Sequence, residues 1–299
     1  MTPGTLGEVA AIGTACCWTA SSFAFTAAAR RFGSLTLNVI RMGLACVLFA
    51  VAGWAMHGLW LPVDAGRAAW FWLGLSGIIG FTIGDLALFR AFVLMGPRLT
   101  LLVLTLWPVL AAGIGWAVLH ESLSAPALGG MALVVGGVAW VILERRPPDA
   151  PAGAHASVAG VLLALVSATC QAVGVVLSKI GMEGYPNALG STQIRALAGL
   201  AGFVVLFTLL GAWPRGKAAL RDGPGMAYAS LGAVFGPFLG VWLAMVAIKN
   251  AEVGVASTIM ATVPVLIIPP SILIYHERVS GRAVLGAVAA IAGVALLFL

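Results

Sequence analysis

The sequence predicts an all-α polytopic membrane protein, with ten transmembrane helices arranged as two inverted five-helix repeats. Three observations predict it. Apolar residues make up 61% of the chain and charged residues 9%, a balance that lipid demands of a solute and water does not. The apolar residues gather into ten runs, each long enough to cross a hydrocarbon core of ~30 Å as a helix. One stretch also occurs twice. Leu106-Trp107-Pro108-Val109 is followed, twelve residues after its proline, by His120-Glu121-Ser122-Leu123-Ser124. Thr262-Val263-Pro264-Val265 is followed, twelve residues after its proline, by His276-Glu277-Arg278-Val279-Ser280, and the two copies lie 156 positions apart. Twelve helical residues span ~18 Å, which sets each proline at mid-membrane and each His-Glu pair near a surface.

The runs fall near 7–29, 34–56, 68–90, 98–118 and 124–143, then 158–180, 188–211, 226–248, 253–275 and 281–299. Between the two sets, 144–157 breaks the hydrophobicity with Arg145-Arg146-Pro147-Pro148 and reads as a linker, leaving repeats at 1–143 and 158–299. The first run carries Cys17-Trp18-Thr19-Ala20-Ser21-Ser22, answered in the sixth by Cys170-Gln171-Ala172-Val173-Gly174. Val39-Ile40-Arg41 in the second is answered by Gln193-Ile194-Arg195 in the seventh. The third has small residues at Ser76, Gly80 and Gly84, and the eighth has them at Gly232, Gly236 and Gly240. Five crossings per repeat is an odd number, so the second repeat enters the membrane upside down, as in many secondary transporters. Gly80, Gly84, Gly236 and Gly240 let backbones approach closely, the standard device for packing helices in lipid. Pro108 and Pro264 each remove a helix hydrogen bond in mid-membrane, which predicts a kink and opens the reading of a hinge. Ser124 and Ser280 stand where helix N-caps belong, with Pro126 just inside the first, and Glu121 and Glu277 fit a capping role beside them.

Three charges lie well inside the apolar runs, away from their ends. Arg41 and Arg195 sit about two turns, roughly 10 Å, from their helix ends. A guanidinium in hydrocarbon costs at least ~2.5 kcal/mol unless paired or solvated, so each is either a substrate or gate contact or a structural anchor of the repeat. Asp85 stands alone in Gly84-Asp85-Leu86, and its repeat counterpart is Val241. It either couples proton movement to transport or forms an internal ion pair. Trp18 and Trp107 lie deeper than Trp54, Trp60, Trp70 and Trp72, which read as an interfacial belt. Trp18, Ser21, Arg41, Trp107, Gln171 and Arg195 are therefore the candidate cavity residues, and Asp85 the coupling candidate.

Several classes are excluded. The net charge of +6 is spread over helix ends rather than gathered in a stripe, so nucleic acid is not a partner. Cys16, Cys17, Cys46 and Cys170 fall inside apolar runs without metal or disulfide spacing and read as small buried apolar residues. No Gly-x-x-x-x-Gly-Lys-Ser/Thr loop, His-Glu-x-x-His pair or Gly-x-Ser-x-Gly elbow occurs, so no catalytic residue, metal or cofactor is expected. The N-terminus lacks the basic region of a cleaved signal peptide. Of the sixteen Lys and Arg residues, four (Arg67, Lys179, Arg195, Lys249) fall to the face that holds both termini and twelve to the other. The rule that positive residues stay inside then sets both termini outside.

The two five-helix repeats, the Cys17-to-Ser22 start with Phe23 after it, the Ile-Arg of the second run, and the proline followed by Glu before each last helix resemble the EamA family. That family belongs to the drug/metabolite transporter superfamily. Gly84 through Ala91 and Gly96-Pro97-Arg98 are similar to one common variant of it. The resemblance implies a central cavity lined by both halves, the fifth and tenth helices packed at the side, and export or uptake of small metabolites such as amino acids, most often export. The smallest relatives couple protons through a carboxylate in the first helix. This chain has only Glu8 at that helix's edge, which directs attention to Asp85. The expected function is secondary transport of a small organic metabolite across a bacterial inner membrane, with protons and membrane lipids as further partners. The alternative is a flippase for a lipid-linked substrate. Lipid-facing and internal ladders look alike, so no oligomeric state is read from them.

Overall fold

The first helix shows how this chain satisfies its polar groups in lipid. In the computed structural model, which describes residues 3–119, 124–143, 157–185, 187–250, 259–275 and 279–297, α1 (Pro3–Phe32) is continuous over 30 residues. Its buried Thr14, Thr19, Ser22 and Thr26 hydroxyls each donate to a carbonyl three or four residues back, at 2.6–2.9 Å. Hydroxyls satisfied within their own helix can be buried without cost to packing. Gly33, at φ 80°, turns the chain into α2 (Ser34–His57), and Gly58, at φ 71°, ends that helix.

The third and fourth runs join into one apolar stretch of 38 residues, Arg67–Leu104. A straight helix of that length would reach ~57 Å, far more than the hydrocarbon core. Gly96, at φ 77° and ψ 163°, breaks it ahead of Pro97. Before the break, α3 (Arg67–Gly77) passes into eight π-helical residues, Ile78–Asp85, and then into α4 (Leu86–Leu104). After Thr105 and Leu106 come α5 (Trp107–Leu119) and α6 (Ala125–Ile142). The second half holds α7 (Val158–Glu183), α8 (Ala188–Leu209), the short α9 (Trp213–Ala219) and α10 (Gly223–Ala233). A second π-helical segment, Val234–Gly240, leads into α11 (Val241–Asn250). Then follow α12 (Val263–Leu266), α13 (Ile268–Tyr275) and α14 (Gly281–Leu297). The π segments begin 156 residues apart, the same offset as the prolines.

Seven continuous helices among the described residues reach spanning length, rather than the ten expected. Three features account for the difference: the third and fourth runs are joined, the fourth and ninth are divided at their prolines, and α14, with 17 described residues, falls just short. Pro108 and Pro264 each sit in the first turn of a new helix, directly after a two-residue interruption. There the missing N–H costs nothing. In both halves a threonine takes up a carbonyl near the break: Thr105 Oγ1 donates to Leu102 O at 2.6 Å and Thr262 Oγ1 to Ile259 O at 2.7 Å. The kinks are present. The caps also fall as expected at Ser124, which accepts from Ala127 N at 3.2 Å, and Ser280, which accepts from Ala283 N at 3.0 Å. His120, Glu121, His276 and Glu277 lie outside the described residues, as does the interior of the linker.

Each half lays its first helix on the third helix of the other. Along α1, Trp18 meets Gly240, Ser21 and Phe25 meet Gly236, and Phe25 meets Gly232. Along α7, Cys170 meets Gly84, Gln171 meets Gly80, and Gly174 accepts from Ser76 Oγ at 2.7 Å. Apolar surface alone does not drive helices together in lipid, so close backbone contact carries these seams. The α6–α14 pair packs the same way at the side: a Cβ on Gly137 would lie 2.7 Å from Gly286 O, and one on Gly293 would lie 2.6 Å from Gly130 O. The cysteines correct one expectation. Cys46 is buried and Cys17 and Cys170 are half-buried, but Cys16 faces outward, because α1 exposes that side; all four are free thiols.

Candidate functional site

Asp85 is the last residue of the first π segment, and π turns inside α-helices re-aim side chains and mark functional sites. The carboxylate points at α2, where Arg41 Nη2 donates to its Oδ2 in a buried ion pair, the two side chains 4% and 7% exposed. Asn38, one turn before Arg41, accepts from Arg41 Nε at 2.9 Å through Oδ1. Its amide donates to Ser34 O at 3.0 Å and approaches the Asp85 carbonyl at 3.5 Å. The Arg41 guanidinium also lies 4.6 Å from the Phe89 ring centroid and 5.5 Å from that of Phe25. Arg41 is thereby held by a carboxylate, an amide oxygen and two aromatic rings. A buried pair held this way costs about 3–5 kcal/mol to break by removing one partner. For Asp85 the structure therefore carries the ion pair, one of the two readings of its position.

From the other half, Gln171 Nε2 donates to the free oxygen of the carboxylate, Oδ1, at 3.3 Å. Its Oε1 turns toward Gly80, and so does Arg195 Nη2: a Cβ on Gly80 would stand 3.9 Å from the first and 3.6 Å from the second. Arg195 is the eighth residue of α8, as Arg41 is of α2. Its backbone is pressed against Gly77, which has no side chain to obstruct it, and its guanidinium lies 4.9 Å from the Phe81 ring centroid. Arg195 Nε is buried with no hydrogen-bond partner among the described residues. A line of polar groups thus runs Arg41, Asp85, Gln171 and, past the Gly80 backbone, Arg195.

The structure brings Arg41, Asp85 and Gln171 into direct contact and sets Arg195 beside them. Trp18, half-buried, and Ser21, buried, lie instead on the α1 seam against Gly240 and Gly236. Trp107, half-buried, and Pro108, buried, open α5, while Pro264 opens α12. Asn38, Phe25, Phe81 and Phe89 were not anticipated from the sequence. Only Asn38, three residues before an intramembrane arginine, carried a signal that could have found it.

Polar contacts between the halves at both faces were also not anticipated. At the face where α1 ends, Arg31 Nε and Nη2 donate to Asp222 Oδ2 and Oδ1 at 2.6 and 2.8 Å. Asp222 meanwhile caps α10, accepting from Gly225 N at 3.2 Å. The Arg31 hydrogen bond, helped by that backbone N–H, holds the Asp222 carboxyl below its usual range. At the face where α2 ends, Tyr185 Oη donates to Asp64 Oδ1 at 2.9 Å, and Gln193 Nε2 donates to Trp60 O at 2.7 Å. Burial, then the neighbouring Asp64, pushes the Tyr185 phenol up to about 12.

A lipid-soluble bundle with breaks at matched points of two repeats and a charged line across its interior is the build of a membrane carrier. The sequence profile of the EamA-like transporter family matches the chain twice, over residues 5–143 and 158–299. The chain belongs to that family, within the drug/metabolite transporter superfamily. It is similar in fold to a solved structure titled only as the crystal structure of a protein, at 18% identity and a TM-score of 0.63, over 99% of this chain and 96% of that one. No curated protein matches the chain.

Proposed function

We propose that this integral membrane protein is a secondary transporter that exports a small organic metabolite, such as an amino acid, by alternating access between two inverted halves. The halves are taken as 1–143 and 158–299, joined by 144–157. The observation that carries the reading is the pair of cross-half contacts. Arg31 and Asp64 are separated by α2, 24 residues or ~36 Å, and Tyr185 and Asp222 by α8, 22 residues or ~33 Å. The two contacts therefore lie at opposite faces, with the charged line between them. Each joins the end of one half's first helix to the residues just before the other half's third helix. They are one contact used twice by an inverted repeat, and releasing them in turn would open the interior to each side in turn.

In this reading Arg41, Arg195, Gln171, Trp18, Ser21 and Trp107 line the path, the breaks at Pro108 and Pro264 act as hinges, and Asp85 is the proton-coupling group. Protonating Asp85 would release Arg41. The bias of positive charge supports termini on the outer side of a bacterial inner membrane. A cross-linking experiment tests alternation directly. With cysteines at 31 and 222 in a chain cleared of its native thiols, a short bis-maleimide should stop uptake into proteoliposomes. Uptake at the unlinked rate would rule out alternating access at that face.

One observation favours the second reading, a flippase for a lipid-linked substrate. An apolar cavity of about 530 Å³ lies on the flank between α1, α12 and α14, lined by Ile12, Thr262, Leu266, Val288 and Ile291 among others. It would accept an acyl chain, and it adjoins the break at Thr262. Flipping of a fluorescent phospholipid analogue in the absence of any soluble-substrate uptake would establish this reading over the first.

A further inference from the structure

The two proline breaks share a design but not a setting. In the first half Val103 and Val109, on either side of the break, are 1% and 8% exposed and share one buried cluster with Ala91, Met95 and Ala164. Their counterparts 156 positions on, Ile259 and Val265, are only half-buried. With Thr262, Leu266 and Val288 they line the flank cavity of about 530 Å³. Lining residues stand before the break (Ile259), in it (Thr262) and after it (Val265, Leu266), so whatever fills the cavity touches both arms of the kink. Three features identify the occupant. Ile12, Leu266 and Val288 are exposed, so the cavity opens to the outside of the bundle. It lies at hydrocarbon depth, since Ile12 is nine residues into α1 and Val288 seven into α14, ~14 and ~11 Å from the helix starts. It also offers no free polar side chain, because the Thr262 hydroxyl already donates to Ile259 O at 2.7 Å and the other lining residues are apolar. An apolar cavity excludes water, and left empty it forfeits dispersion contacts along its whole lining. Beside a bilayer, the group that fills it is an acyl chain.

We infer that this cavity is the seat of a resident membrane lipid, whose acyl chain lies across the second break and supplies the packing that the buried cluster supplies at the first. The inference goes beyond both readings of the function: this lipid stays in place while the cargo passes. Its consequence is mechanical. A chain that touches both arms of the kink resists their movement, so the second break is looser without lipid, while the first, packed by protein, does not change.

Native mass spectrometry of the full chain, loaded with palmitoyl-oleoyl phosphatidylethanolamine and then washed in detergent, tests the seat. Amide hydrogen exchange at the two breaks tests the consequence. The unaltered protein should keep bound lipid through the wash. Ala292→Phe, which enlarges an exposed side chain lining the cavity, should keep severalfold less. Val288→Trp should do the same by a second route, and Val47→Trp, on the exposed side of α2, should keep as much as the parent. Removing the lipid should speed exchange at 265–267 and leave 109–111 unchanged, and Ala292→Phe should exchange alike with and without lipid. No retained lipid, or equal retention by Ala292→Phe and Val288→Trp, would overturn the seat. Exchange at 265–267 that ignores the lipid would overturn its action on the break. Disulfides between Val288→Cys chains in the membrane would assign the cavity to a second copy instead, and loss of phospholipid flipping in Ala292→Phe would make the lipid a cargo rather than a resident.

Discussion

Arg41 and Arg195 occupy equivalent positions in the two repeats, each the eighth residue of its helix, yet they live in different chemistry. Arg41 has a carboxylate, an amide oxygen and two aromatic faces. Arg195 has one aromatic face and a buried, unpartnered Nε. Two positions contribute to the difference: the counterpart of Asp85 is Val241, and that of Asn38, three residues before the arginine, is Thr192. Duplication preserved the scaffold, meaning the π segments, the proline breaks and the glycine seams. The asymmetry sits at the charges, where Asp85 has no acidic counterpart in the second repeat.

The sharpest way to break the comparison is Asp85→Asn, which strands Arg41 as a buried, uncompensated cation. It should destabilise the protein by about 3–5 kcal/mol, read as a lower melting temperature in detergent. The double variant Arg41→Gln/Asp85→Asn should recover most of that loss. It should also retain counterflow while losing any response to an imposed pH gradient, if Asp85 carries the proton. A single variant as stable as the parent would mean that the pair does not hold α2 to the first π segment.

A smaller effect is expected where the second arginine is positioned. Gly77→Ala places a methyl group against the Arg195 backbone and should cost roughly 1–3 kcal/mol. Gly80→Ala meets only ordinary contacts at 3.6 and 3.9 Å and should leave the melting temperature nearly unchanged. Equal effects at both glycines would remove the distinction between a tight seam at Gly77 and ordinary contact at Gly80.

The smallest effects concern the two cross-half contacts, which differ as the arginines do. One is a charge pair and the other a neutral donor on a carboxylate. Because the Asp222 carboxyl is held below its usual range, its contribution is complete above the ordinary value of ~3.9 and is lost as pH falls through the lowered one. Accessibility of a thiol placed beside it should be flat from about pH 5 to 8 and rise below about 4. The Tyr185 contact runs the other way. It is complete below the ordinary phenol value of ~10 and lost as pH rises through about 12. High salt should loosen the Arg31 face and spare the Tyr185 face, measured by the same thiol labelling.

By itself the sequence determined the class, the duplication and the places where the helices break. Hydropathy, the repeated Pro-to-Glu interval and the small-residue ladders are written in residue types, and their physical meaning in lipid is nearly context-free. Serine caps and proline breaks were legible for the same reason. The π segments were not, since a shift from i→i+4 to i→i+5 bonding has no composition of its own. Nor could the sequence pair Arg41 with Asp85, 44 residues away, or join Arg31 to Asp222 across 191. Those contacts depend on how helices are rotated and which seams they share. Only the tertiary structure decided which of two matching arginines is satisfied, because the interaction energy of a buried charge depends on its neighbours in space rather than its neighbours in the chain.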